Sequence, residues 1–244
     1  MWYTMRVKLF ALSLTLLALP TLVFAAPTSK PQLKPQVKQK VDTKAYWSSQ
    51  VLSPLFKLNG PKEEIAAGSA YLAVHPRTGA NILCSALHLL GPAGGMKRQL
   101  SLSEVNQRIQ TVYALNNNGS IKVMAAGLAT KSGYASREDE EFSAMYDFVA
   151  YKVTKRTSAT PFRFATSDPR IGETVWVLGP VSYSARVAAY KPDGLYLETS
   201  GNPQFRGYSG GPIINARGEI VASLVGSQGS YVLACSVGTI QSLL

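Results

Sequence analysis

The chain is poor in the residues from which metal and redox centres are made. Its 244 residues include two histidines, His75 and His88, and two cysteines, Cys84 and Cys235. Scattered this way they do not make a zinc site, and no cofactor is expected. So few cysteines also exclude a disulfide-stapled mini-scaffold, and a chain of this length can bury a real core without staples. The pair could bridge in an oxidising compartment, but both sit in apolar strand-like runs where a free thiol simply packs, so both readings stay open. Long apolar runs are missing except for Leu9–Phe24, and at roughly 16 residues that run is shorter than the roughly 20 a spanning helix needs. Sustained helical periodicity is missing before Val237–Leu244, where a short terminal helix is expected. Acid is scarce: 14 Asp and Glu stand against 25 Lys and Arg, giving +11. Of this excess, +6 lies in residues 1–45. The remainder is only mildly basic, so no nucleic-acid partner is expected.

What the N-terminus does contain is a processing signal. Arg6 and Lys8 precede Leu9–Phe24, and Val23-Phe24-Ala25 carries small residues at signal-peptidase offsets. Residues 1–25 therefore read as a signal peptide cleaved after Ala25, which places the mature chain in the periplasm or outside the cell, with no integral span left. Residues 26–50 read as a linker rich in Pro, Lys and Gln, unable to bury enough apolar surface to order itself. Its basic part, 26–45, could make a weak contact with an anionic surface.

From Ala66 onward, short apolar or alternating runs are separated by turn signals, the pattern of an all-β sandwich or barrels. Strands are expected at Gly68–Val74, Asn81–Ala86, Ile109–Ala114, Ile121–Met124, Phe148–Val153, Val175–Gly179, Ser184–Tyr190, Leu195–Glu198, Pro212–Ile214 and Ile220–Val225. A polar break near Lys155–Pro161 divides two lobes, 51–155 and 156–244. His75 lies in the turn His75–Gly79 and is expected to be exposed. The acidic run Glu138–Glu141 reads as a solvated loop; its ligand spacing is wrong for calcium.

The informative stretch is Phe205-Arg206-Gly207-Tyr208-Ser209-Gly210-Gly211-Pro212-Ile213. Glycine is used where a backbone bends unusually or approaches something closely. Three glycines around one hydroxyl suggest a loop built to present that hydroxyl and its neighbouring N–H groups. A serine is a weak nucleophile until a base takes its proton. Gly-x-Ser-x-Gly also fits the nucleophile elbow of α/β-hydrolases, but that fold places its histidine after the serine. Here 35 residues follow Ser209, and none is histidine. The order His88, Asp147, Ser209 is instead that of chymotrypsin-type enzymes.

On these motifs the chain resembles trypsin/chymotrypsin-like serine proteases of the compact bacterial secreted type related to Deg/HtrA protease domains. Gly207–Pro212 resembles the family's Gly-Asp-Ser-Gly-Gly-Pro, Asp147-Phe-Val-Ala-Tyr-Lys152 its acid-bearing strand, and Cys84-Ser-Ala-Leu-His88, more loosely, its histidine segment. The resemblance covers about Ala66–Leu244. It implies two six-stranded Greek-key β-barrels with the site between them, and a secreted endopeptidase acting on proteins or peptides. Ser209 would be the nucleophile, His88 the base, Asp147 its orienting acid, and the N–H groups of Gly207 and Ser209 the oxyanion hole. Pro203 falls at the base of the specificity pocket, and Val225, Gly226 and Ser227 would pair with substrate backbone. No carboxylate lies between Ser200 and Ser209, so Lys or Arg is not expected before the scissile bond; small or apolar residues are. Tyr208 departs from the family's acid or amide, and the sequence gives it no role. The departures at Tyr208 and before His88 leave a catalytically silent binding protein as the alternative.

Overall fold

The computed structural model describes residues 42–59, 64–136, 140, 143–156 and 159–244. The signal peptide, the basic tail to residue 41 and all of the acidic run except Glu140 lie outside the described residues.

Alternating burial builds the first barrel. In β1 (Val51–Leu58) residues 52, 54, 56 and 58 are buried while 53 and 57 face solvent, which is the period of a pleated strand with one face on a core. β2 (Glu64–Ala66), β3 (Ala70–Val74), β4 (Asn81–Ser85), β5 (Ile109–Leu115), β6 (Lys122–Leu128) and β7 (Val149–Arg156) follow. β1 pairs with β3 through Val51 and Leu52 and with β5 through Ser53–Leu58, closing the ring β1-β3-β4-β7-β6-β5, with β2 added on β1. The second ring, β8 (Thr174–Val177), β9 (Tyr183–Lys191), β10 (Gly194–Thr199), β13 (Tyr231–Ser236), β12 (Ile220–Gln228) and β11 (Pro212–Ile214), is also closed. All pairings in both are antiparallel. Leaving β2 aside, each ring runs first, second, third, sixth, fifth, fourth strand. The fold is thus two six-stranded barrels of one winding, as the sequence leads one to expect. In each, the link from third to fourth strand crosses an end of the barrel. Those links carry His88 and Ser209.

Three apolar clusters fill the molecule. One lies inside each barrel, around Phe56, Leu83 and Val112 in the first and Val187, Leu197 and Ile213 in the second. A third joins them, with Tyr71, Cys84 and Phe148 from the first barrel against Ile214, Ile220 and Cys235 from the second. Helix α1 (Asp42–Ser48) belongs to this folded body, since Trp47 packs on Phe162 with ring centroids 4.8 Å apart. The linker expected over 26–50 therefore gives way to structure by residue 42. α2 (Leu102–Arg108) is closed by a Ser101/Glu104 capping box, and α3 (Val237–Leu243) fulfils the expected terminal helix. Both cysteines are free and buried, and burial pushes their thiols well up.

His75 is buried rather than exposed. Its turn folds back so that Nδ1 accepts the N–H groups of Arg77 (3.2 Å) and Thr78 (3.4 Å). Burial, then Lys131 and Arg77, lowers its pKa.

Tyr151 is fully buried in the first barrel, its hydroxyl has no hydrogen-bond partner among the described residues, and burial pushes its phenol above the ordinary range. The folded state therefore keeps a proton that the unfolded state releases above about pH 10. This contribution is fully present below pH 10 and is lost as pH rises further. Tyr151→Phe should leave stability near pH 7 almost unchanged and flatten the alkaline loss by up to about 1.4 kcal/mol per pH unit. Urea midpoints between pH 8 and 12 measure it; an unchanged alkaline slope would contradict the assignment.

Candidate active site

β4 carries the chain through the first core, Ala86 stays extended, and Leu87–Leu90 forms a 3₁₀ turn. Leu87, Leu89 and Leu90 are buried, and His88 is turned outward with 16% of its side chain exposed. Asp147 sits just before β7, with 1% of its side chain exposed. Its Oδ1 accepts the backbone N–H of His88 at 2.9 Å, and its Oδ2 faces His88 Nδ1 at 2.6 Å. A carboxylate can only accept, so Nδ1 carries the hydrogen, and in the neutral ring Nε2 keeps its lone pair. Two charge-assisted bonds stabilise the buried acid and fix the ring at the same time.

Ser209 comes from the second barrel but leans on the first. Its carbonyl accepts the N–H of Ser69 at 2.7 Å, and the Ser69 hydroxyl donates to the Gly207 carbonyl at 2.8 Å. Gly210 has φ +84°, and a Cβ there would lie 2.4 Å from the Ser69 carbonyl and 2.7 Å from the Ala86 nitrogen. Only glycine permits this approach, which seats the serine loop against the segment leading into His88. The Ser209 hydroxyl donates to the Val225 carbonyl at 3.0 Å. A hydroxyl has one hydrogen, so binding Val225 excludes donating to His88 at the same moment. That carbonyl is available because β12 bulges: Leu224 pairs with Ala234 and Gly226 with Leu233, and Val225 is skipped.

The backbone beside the hydroxyl has a defined turn. Tyr208 N–H bonds the Phe205 carbonyl at 3.0 Å, and Gly207 has φ +84°. An i-to-i+3 bond with positive φ at the third residue is a type II turn, which demands glycine there. A type I turn would flip the 206–207 peptide and put the Arg206 carbonyl where the Gly207 N–H now points. In this structure the N–H groups of Gly207 and Ser209 make no hydrogen bond among the described residues. They are free donors beside the Ser209 hydroxyl.

Tyr208 holds that turn. Its hydroxyl donates to the Val181 carbonyl at 2.9 Å and accepts the Val181 N–H at 3.0 Å. Its ring stacks edge-on against Phe205, 5.5 Å between centroids, and covers Gly179, where a Cβ would lie 2.1 Å from it. Burial raises its phenol, so the hydroxyl keeps the hydrogen it donates. Sequence reading missed the partners Val181 and Ser69; the only local hint was an unusual tyrosine beside the serine.

Pro203, Gly226 and Ser227 line a cleft of about 430 Å³ together with Ser209. Gly226 and Ser227 also border a second cleft of about 660 Å³ with Val225, Tyr196 and Tyr231. The structure thus places Pro203, Ser209, Gly226 and Ser227 on one cleft with Val225 bonded to Ser209, and joins His88 to Asp147 by the two bonds described above. Among the described residues no three His, Cys, Asp or Glu side chains gather to hold a metal. No described helix is long and apolar enough to cross a membrane.

No protein-family model and no curated protein matches the chain. Solved structures do. The Rv3671c protease from M. tuberculosis in its active form is similar over 87% of this chain and 92% of that one, at 14% identity and TM-score 0.52. Its inactive form is similar over 82% and 89%, at 15% and 0.50. The serine endoprotease from Yersinia pestis is similar over 85% of this chain and 66% of its own, at 14% and 0.53. At these identities the likeness is one of fold, and the fold is that of chymotrypsin-like proteases.

Proposed function

We propose that the chain is a secreted serine endopeptidase working through an acyl-enzyme. The observation that carries the reading is the buried Asp147 carboxylate holding both N–H groups of His88, in a chain whose second barrel carries a serine with free donors beside it. Ser209 Oγ attacks the substrate carbonyl, and its proton passes to His88 Nε2. Asp147 stabilises the imidazolium, and the N–H groups of Gly207 and Ser209 take the developing oxyanion. The imidazolium then protonates the leaving amine, and water releases the acyl group by the same steps in reverse.

Substrate would assist the first step. A backbone N–H laid along β12 competes with Ser209 for the Val225 carbonyl and frees the hydroxyl for His88. The turn at Gly207 is already in its donor-out form, and Tyr208 ties it to Val181 without calling on a freed N-terminus. Activity therefore requires no propeptide cleavage. Export through the N-terminal signal sequence completes the reading.

The bond between Ser209 and Val225 favours one rival, a silent binding protein on the same fold. Incubation with a denatured protein, followed by sequencing of new termini, decides. Internal cuts that Ser209→Ala abolishes support the endopeptidase. No cut by wild type, with or without removal of residues before 42, would overturn it.

A further inference from the structure

The cleft beside Ser209 is polar. Its lining includes Asn202, Gln204, Arg206, Ser209 and Ser227, with Pro203 and Phe205 among them. No Asp or Glu lines it. Arg206 is exposed and makes no ion pair or hydrogen bond among the described residues. Its place is set by the turn. Arg206 and Gly207 are the two corner residues of the type II turn, so a substrate whose carbonyl reaches the Gly207 N–H passes next to Arg206, whose exposed side chain is long enough to turn toward it. The side chain next to that carbonyl then enters the cleft that Arg206 borders.

Resting on the endopeptidase reading, we propose that this cleft selects an acidic side chain, glutamate or aspartate, immediately before the scissile bond, with Arg206 as the residue that selects it. This differs from the small or apolar preference expected from sequence. An apolar side chain would strip water from the two amides and the guanidinium without replacing those hydrogen bonds. A lysine or arginine would face a like charge with no carboxylate to offset it. A carboxylate takes a planar fork of donors from arginine, and the amides and Ser227 can donate as well. The pair is solvent-exposed, so the preference is modest and salt-sensitive.

The test uses the full chain and otherwise identical tetrapeptide anilides ending in Glu, Gln, Ala, Leu or Arg. The Glu substrate should exceed the Gln one about three- to fivefold in kcat/KM at low salt, the upper range for a solvent-exposed ion pair. The ratio should shrink toward unity in 1 M salt, and below about pH 4, where the substrate carboxylate gains its proton. Arg206→Gln should bring Glu and Gln level, and Arg206→Glu should favour the Arg substrate. Fluorophosphonate labelling of Ser209 is measured in parallel. A labelled wild type with equal Glu and Gln rates, or with Leu or Ala preferred, overturns the specificity and leaves the enzyme reading standing. An unlabelled, inactive wild type overturns both.

Discussion

Ser209→Ala should lower kcat on a good peptide substrate by about 10⁶-fold, and His88→Ala by a similar factor. The two together should cost little more than either alone, because attack requires hydroxyl and base at once. Asp147→Asn should cost about 10⁴-fold. The amide can donate where the carboxylate only accepts, so it would reward the other histidine tautomer. Nε2 would then carry the hydrogen and could not take the serine's. The Asn side chain is isosteric, but the N–H of His88 that Oδ1 holds at 2.9 Å would keep its partner only with the amide oxygen turned toward it. Initial rates on a chromogenic peptide, with urea midpoints as a control for folding, measure these effects. A roughly tenfold loss for Asp147→Asn, or additive losses for Ser209 and His88, would mean that the three residues do not act as one unit.

Tyr208→Ala should be the most damaging change outside those three residues. Emptying a buried aromatic site costs on the order of 3–5 kcal/mol of stability. It also unties the loop from Val181, whose N–H and carbonyl lose their shared partner. With the anchor gone, the 206–207 peptide is free to take the type I form, in which the Gly207 donor is withdrawn. Loss of one such donor lowers kcat by about 10²–10³-fold. Tyr208→Phe separates the two effects. The ring still fills the space against Phe205 and Gly179, but the two hydrogen bonds are lost, so stability should fall by about 1–3 kcal/mol. In both variants kcat should fall with KM nearly constant, since the donor acts on the transition state rather than on bound substrate. A folded Tyr208→Ala with wild-type kcat would show that the loop orders itself by other means.

The candidate triad could be proposed from sequence because its chemistry restricts residue type and order. With two histidines in the chain, one in a short turn and the other closing an apolar strand, His88 was the candidate base, and Asp147 opened a strand of the right kind. Turn spacing made an all-β sandwich or barrels legible, and the count of two six-stranded barrels came with the family resemblance. β1 was not legible, because Pro54 breaks the strand pattern and its partners come from both edges. β2 has three residues, too few for any period. α2 is only seven residues long, so no helical periodicity shows, although its Ser101-x-x-Glu104 cap is a local signature. Trp47 and α1 were hidden by the Pro- and Lys-rich run before them. The hydroxyl of Tyr208 finds its partner 27 residues upstream, a contact that exists only once the second barrel has closed. No local pattern carries such information. The burial of His75 is a similar case, decided by how its turn folds back on the ring.

The most direct measurement of the central claim is reaction of the full chain with a fluorophosphonate, followed by peptide mapping. The account predicts a single stoichiometric adduct on Ser209, absent from Ser209→Ala and strongly slowed in His88→Ala, because the probe needs the same activated hydroxyl and the same donors as a peptide carbonyl. No adduct on wild-type Ser209, or equal labelling when His88 is alanine, would contradict it.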